Sequence, residues 1–459
     1  MMKNIIKYHI VLLLVPLLMG KAFAQTDLLL HGFRFIPQSN YNNPAFIPEG
    51  KLFIGIPLIS SVSSSTYSSS FSLDDILATK ASSDSLYLNL GGLITDSNED
   101  NMLTEYFESD LLYVGFKINN NYLSFGIRNR LYSRVFYSDD LVKLLWNGNA
   151  NYIDEELNLS STLLNQDHFL AYYLNFGFMI GEKFSLGVRA NLNQGLSSIQ
   201  TRQNDIRLTT ATHDQDIFSF SAKTSFLVNT SGFAADSTST FSVSNYIFNF
   251  KNIGFSFDIG ADLKVSDRIN LNFSVLDVGR LNWKSGLKSY ESNTDSIEFS
   301  GIYADINSKG DIFAAYGDSL AALIDINEFE QDFSTSLPIR IYAGLEYYSL
   351  DRKNRLSFTF AGTFLTNKFS PAVSFGFERE VSKHFAFKVN YSWLQYAPLN
   401  LGTGLAFNFK PFQFYFLTDN VFSTFLWDKQ KYLNFRFGVN LMFPEKRHIP
   451  KGEPVFRTR

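Results

Sequence analysis

The sequence predicts an all-β fold, a transmembrane antiparallel β-barrel of about 14 strands, with a plug-like N-terminal segment and long extracellular loops that carry short helices. Three observations predict it. First, from Ile253 to Val265 every second residue is apolar, and Gly254, Ser256, Asp258, Gly260, Asp262 and Lys264 fill the alternate places. After Ser266 and Asp267 the pattern restarts, with Ile269, Leu271, Phe273 and Val275 set against Asn270, Asn272, Ser274 and Asp277. A period of two puts these sets on opposite faces of antiparallel neighbours. Each run is nearer the roughly 9 to 11 residues of a tilted membrane strand than the roughly five or six of a soluble one. Second, aromatic residues make up 16% of the chain, with 47 Phe and 23 Tyr, more than a soluble core requires and in keeping with a lipid face and interfacial girdles. Third, past the leader no run approaches the roughly 18 apolar residues of a helical span.

The leader is residues 1–24. Lys3 and Lys7 precede the apolar run from Ile10 to Met19, and Ala22-Phe23-Ala24 has the small-x-small pattern of a signal-peptidase site. The expectation is export by the Sec pathway, cleavage near Ala24 and residence in the cell outer membrane. The chain has no cysteine, hence neither a disulfide framework nor a lipid-anchor cysteine, and its net charge of -4 gives no reason to expect a nucleic-acid partner.

Residues 25–50 hold no period. Pro37, Asn40, Asn42, Asn43, Pro44 and Pro48 punctuate them, so the segment is a plug folded into the barrel or a periplasmic lead-in; Phe33, Phe35, Ile36 and Phe46 favour packing against something. Residues 51–443 are the barrel. Its first strand is read at Lys51 to Val62, followed by an acidic outer excursion from Ser63 to Asp110 and a descent from Leu111 to Ile118. Tyr122 to Phe136 climbs, and a helix from Asp140 to Trp146, capped by Ser138, sits in the next loop. His168 to Ile180 and Phe184 to Ile199 follow. Pieces at Ile217 to Val228 and Phe241 to Phe250 read as a hairpin above the membrane, or as two more wall strands. The outer loop from Trp283 to Thr335 places Ile312, Phe313, Tyr316, Leu320, Leu323 and Ile324 at helical spacing. Seven closely spaced strands end at Tyr432 to Phe443. The count is 14, or 16 with the two extra pieces; both are even, as single-chain barrels require. Residues 444–459 form a basic periplasmic tail, either docked or solvated.

Projecting the alternate faces inward gives a lumen lined by Lys117, Arg128, Arg130, Arg189, Asp258, Asp262, Asp277, Arg340, Glu346, Glu378, Lys388 and Arg436. In an open pore these set ion selectivity; in a filled barrel they pair and hold a plug. Outside, Trp146 with Ile312, Phe313, Tyr316, Leu320, Leu323 and Ile324 forms either a collector for a hydrophobic ligand or a cap of packed helices. No metal-ligand spacing, GxSxG elbow or phosphate loop occurs, so no enzyme, cofactor or metal is expected.

Ile36-Pro37-Gln38-Ser39-Asn40, Asn43-Pro44-Ala45-Phe46 and Gly55-Ile56-Pro57 resemble the opening of a family of uncharacterised outer-membrane barrels from Bacteroidota. Phe257-Asp258-Ile259-Gly260-Ala261, Asp277-Val278-Gly279 and Trp283 resemble the same family. More distantly the chain resembles the group of FadL-type fatty-acid transporters and PorV-type secretion subunits. Asp84-Ser85-Leu86, Asp295-Ser296-Ile297 and Asp318-Ser319-Leu320 are similar to that phylum's O-glycosylation sites. The resemblance implies a 14-stranded barrel with an N-terminal plug and does not choose between transport and secretion. The sequence thus leaves two functions: a barrel passing small hydrophobic molecules, or a non-conducting accessory or scaffold barrel of a secretion or envelope-assembly machine. Expected partners are outer-membrane lipid, barrel-assembly machinery at the C-terminal strand, and a hydrophobic small molecule or a secretion or envelope protein.

Overall fold

Alternation does what the sequence requires of it: along Ile253–Lys264 the apolar residues point out and Gly254, Ser256, Asp258 and Gly260 are buried. In the computed structural model, described for residues 27–79, 86–88, 100–213, 217–233, 242–299, 325–365, 368–394 and 397–443, this strand is one of a closed antiparallel ring.

The ring runs from Asp100–Ile118 through Asn121–Ser138, Leu163–Ile180, Phe184–His213 and Ile253–Lys264 to Ile269–Trp283. It continues through Phe333–Ser336 with Ile339–Tyr348, then Asn354–Leu365, Lys368–Ser382, Phe385–Leu394, Ala397–Phe409, Phe412–Thr418 and Tyr432–Phe443. Leu52–Gly55 and Val62–Ser68 then join Tyr432–Phe443 back to Asp100–Ile118. These are 14 wall positions, and closure leaves no strand edge facing hydrocarbon, where unpaired backbone groups would cost several kcal/mol each.

Several expectations change. The first strand is broken, because Pro57 has no N–H to pair and Leu58 takes a φ of 69°; the strand resumes at Val62. The acidic excursion is shorter than read: Asp100–Ile118 is one strand, so Glu105, Glu108 and Asp110 belong to the wall. A bulge between Asp110 and Leu112 breaks the period there and hides the strand's continuity. The extra pieces are not wall strands and do not pair with each other. Ile217–Gly232 pairs with an outward extension of the 30-residue strand Phe184–His213 on one side and with Leu287–Phe299 on the other, making a small outer sheet. Val243–Phe248 is a short helix lying on the outside of the wall, where Gln194 Nε2 donates to Tyr246 O at 2.7 Å and the Tyr172 hydroxyl bonds Ile247 O. Leu287–Phe299 also occupies part of the span read as loop.

The helix Asp139–Asn147 stands where the sequence places it, with Leu141 N–H donating to Ser138 Oγ at 3.1 Å. The leader, the helix read across Ile312 to Ile324, Asp84-Ser85, Asp318-Ser319-Leu320 and the tail from Pro444 lie outside the described residues.

Candidate functional site

The inward faces converge on residues 27–47. Nearly all of these are buried, including Leu28, Leu29, Leu30, Phe33, Ile36, Tyr41 and Phe46. The segment has almost no regular structure beyond one turn of 3-10 helix at Pro37–Tyr41. Its backbone polar groups therefore need partners other than a ladder; turns within the segment pair part of them, and the wall supplies partners for further carbonyls. Lys388 Nζ donates to His31 O at 2.5 Å, and Arg355 bonds Gly32 O. Gln413 Nε2 donates to Phe35 O at 2.8 Å, Arg189 to Asn40 O at 2.5 Å and Ser274 Oγ to Asn42 O at 2.5 Å. Ser185 Oγ donates to Ala45 O at 2.9 Å. These donors come from strands all round the ring, so the segment fills the lumen.

Charge is neutralised group by group. On one side Arg128, Arg130, Arg340 and Arg436 surround Glu108, Asp110, Asp277 and Asp27. Arg130 reaches Asp277 at 2.6 Å and Glu108 at 3.1 Å; Arg436 reaches Asp27 at 2.7 Å and Glu108 at 3.2 Å. Arg189 pairs with Asp258 at 3.0 Å. On another side Arg34 bonds Asp262 at 2.6 Å and Glu346 at 2.9 Å, and Arg355 bridges Glu346 and Glu378. Tyr41 is wedged between cations: Arg128 lies 3.9 Å from its ring centroid, and its hydroxyl donates to Asp110 at 2.7 Å. Ions so paired and buried are structural groups rather than a solvated lining.

Of the charges read from sequence, Arg128, Arg130, Arg189, Asp258, Asp262, Asp277, Arg340, Glu346, Glu378, Lys388 and Arg436 meet in this lumen. Lys117 does not: it is half-buried at the periplasmic end, its N–H bonded to Lys51 O at 2.8 Å, with no carboxylate partner among the described residues. Lys264 pairs with Asp267 in the turn. Asp277 points inward only because Leu276 and Asp277 form a bulge, in which Asp277 has a φ of 61° and its N–H donates to Asp258 Oδ1 at 2.6 Å. Sequence reasoning missed Asp27, Arg34, Glu108, Asp110 and Arg355; only Arg355, in phase with Ser357 and Thr359, carried a readable signal. On the outer helix Trp146 is 44% exposed and Val142 is buried.

His31 is the one lumen imidazole in this segment, stacked on Tyr342 at 4.8 Å with Nε2 bonded to Asn272. Burial pushes it down to about 4 from its ordinary 6.5, with Lys388 and Arg34 acting in the same sense and Asn272 and Glu346 opposing. The unfolded chain takes up this proton near 6.5 and the folded one only near 4. The stability His31 confers is therefore complete above that window and declines as pH falls through it. Acidification from pH ~7 to ~4.5 is expected to lower the heat-unfolding temperature more steeply in the wild type than in His31→Gln. Equal slopes would remove His31 from the account.

A closed ring with an apolar exterior and a charge-balanced interior filled by its own N-terminal segment defines the class: an outer-membrane β-barrel. The chain belongs to the family of unknown function DUF5723, which it matches over residues 44–419. No curated protein matches it. Among solved structures it is similar to the Ralstonia pickettii toluene transporter TbuX, at 9% identity over 89% of this chain and 94% of that one, with a TM-score of 0.43. It is similar also to the Pseudomonas putida toluene transporter TodX (10%, 88% and 91%, TM-score 0.38) and to a Pseudomonas aeruginosa FadL homologue (11%, 89% and 94%, TM-score 0.42).

Proposed function

We propose that this protein is a non-conducting outer-membrane barrel, an accessory or scaffold whose work is done on its outer surface. Export by the Sec pathway with cleavage near Ala24, and assembly through the aromatic-ended strand Tyr432–Phe443, complete the reading. The observation that carries it is the lumen segment, whose carbonyls accept from Lys388, Arg355, Gln413, Arg189, Ser274 and Ser185. A water-soluble solute passing this way would have to break that set together with the surrounding ion pairs. Purified barrel in a planar bilayer is expected to give no resolved conductance step. A steady ohmic step from the wild type would sink the proposal.

A second reading, passage of small hydrophobic molecules, is favoured by one observation. Towards the outer end the inward surface turns apolar, with Tyr132, Phe169, Leu281, Trp283 and Leu337 in one cluster and Phe333 stacked on Trp283 at 6.0 Å. Saturable entry of a labelled aromatic hydrocarbon into proteoliposomes without ion conductance would favour this reading over the scaffold.

A further inference from the structure

The outer face of the wall is not uniformly smooth. Across Asn121–Ser138, Leu163–Ile180, Phe184–His213 and Ile253–Lys264 it holds a groove of about 510 Å³, a size typical of small-ligand sites. It exists because outward-facing Ala190 is short among Phe125, Leu174, Leu192, Phe255 and Phe257. Towards the extracellular side it is bounded by Tyr172, whose ring lies 5.4 Å from that of Phe250, next to the wall-bound helix Val243–Phe248.

Beside the groove the outward face changes character. Val278 is 44% exposed, and the next outward residues along the strand are Arg280, Asn282 and Lys284. Arg280 stands directly opposite groove residue Phe255 and, on its other side, opposite Ser336. Lys284 is held near Lys251 because its N–H donates to Asn252 Oδ1 at 2.8 Å. Lys251, Arg280 and Lys284 are exposed, and among the described residues none makes an ion pair. The outward apolar run of this strand thus gives way to exposed cations that make no ion pair among the described residues, where the headgroup of a lipid lying in the groove would meet them.

We propose that this surface binds one phosphorylated glycolipid of the outer leaflet, with acyl chain in the groove and phosphate on Lys251, Arg280 and Lys284. An ordinary annular lipid would need neither the concavity at Ala190 nor three exposed cations held clear of ion pairs. The site is independent of the lumen and stands whether or not the barrel conducts.

The test is native mass spectrometry of the full-length barrel in detergent, titrated with monophosphoryl lipid A, with phosphatidylglycerol and dipalmitoylglycerol as comparisons. The expected result is one retained lipid A per barrel. Retention should fall about tenfold in the Lys251→Gln/Arg280→Gln/Lys284→Gln variant, the loss of ~1.4 kcal/mol, and likewise in Ala190→Phe, which fills the groove. All four positions point outward, and heat-modifiable gel mobility checks that each variant is folded. If Ala190→Phe fails to fold, the charge variant decides alone. Equal retention by the folded charge variant, or equal binding of either comparison lipid, overturns the proposal.

Discussion

Replacing Arg130 by Met is expected to cost the barrel about 3–5 kcal/mol, the range for removing one member of a buried ion network. The mechanism is the uncompensated charge left behind. Arg130 makes two bonds to Asp277, through Nη1 at 2.6 Å and Nη2 at 2.9 Å, and one to Glu108 at 3.1 Å. Without it Asp277 keeps only Arg340, and Glu108 shares Arg128 and Arg436, already committed to Asp110 and Asp27. The measurement is the temperature at which the compact band on an SDS gel gives way to the unfolded one. Substituting Arg202, which is exposed on the outer extension and donates to Ser334 O, is expected to cost no more than ~0.5 kcal/mol and to leave that temperature nearly unchanged. Similar shifts for the two would mean that the lumen pairs are solvated.

What was legible in the sequence follows from where the period of two is undisturbed. Ile253–Lys264, Phe385–Leu394 and Tyr432–Phe443 alternate without interruption, and their lipid and lumen faces could be read directly. Misreadings cluster where the phase slips. Pro57 breaks the first strand, and the bulge after Asp110 disguises Glu108 as a loop residue. Asp277, out of phase with Ser274, was itself the trace of a bulge. The helix at Val243–Phe248 escaped notice because six residues offer little helical period, and it is held by the wall's Gln194 and Tyr172.

The lumen contacts were illegible for a different reason. Residues 27–47 have no period, hence no face, and their partners lie far off in the chain: Asp27 meets Arg436 across 409 positions. Composition shows that inward charges exist; only closure of the ring decides which ones meet. The balance of Arg128, Arg130, Arg340 and Arg436 against Glu108, Asp110, Asp277 and Asp27 draws on five strands and the lumen segment. That balance is why the filled lumen, and not the fold alone, carries the functional reading.

Gly187→Leu provides the sharpest test of that reading, because it attacks the lumen segment from the wall without touching a charge. Gly187 points inward, and a Cβ there would overlap the backbone of Pro44 and Ala45. Backbone cannot rotate aside as a flexible side chain does, so the segment must lift away or the strand must bend. The strand is pinned on both sides, Gly187 pairing with Gly177 and with Gly260, so the segment is expected to yield. Its departure would strip Ser185 and Arg189 of their bonds to Ala45 O and Asn40 O and open a polar path. The variant should lose about 1–3 kcal/mol, as overpacked sites do, and acquire a conductance step that the wild type lacks. Cleavage of residues 27–50 by added protease should appear with it. Val188→Leu, on the neighbouring outward-facing residue, should change neither conductance nor cleavage. A folded Gly187→Leu barrel that stays silent in the bilayer, its segment still protected, would mean that the lumen is held closed by something other than residues 27–47.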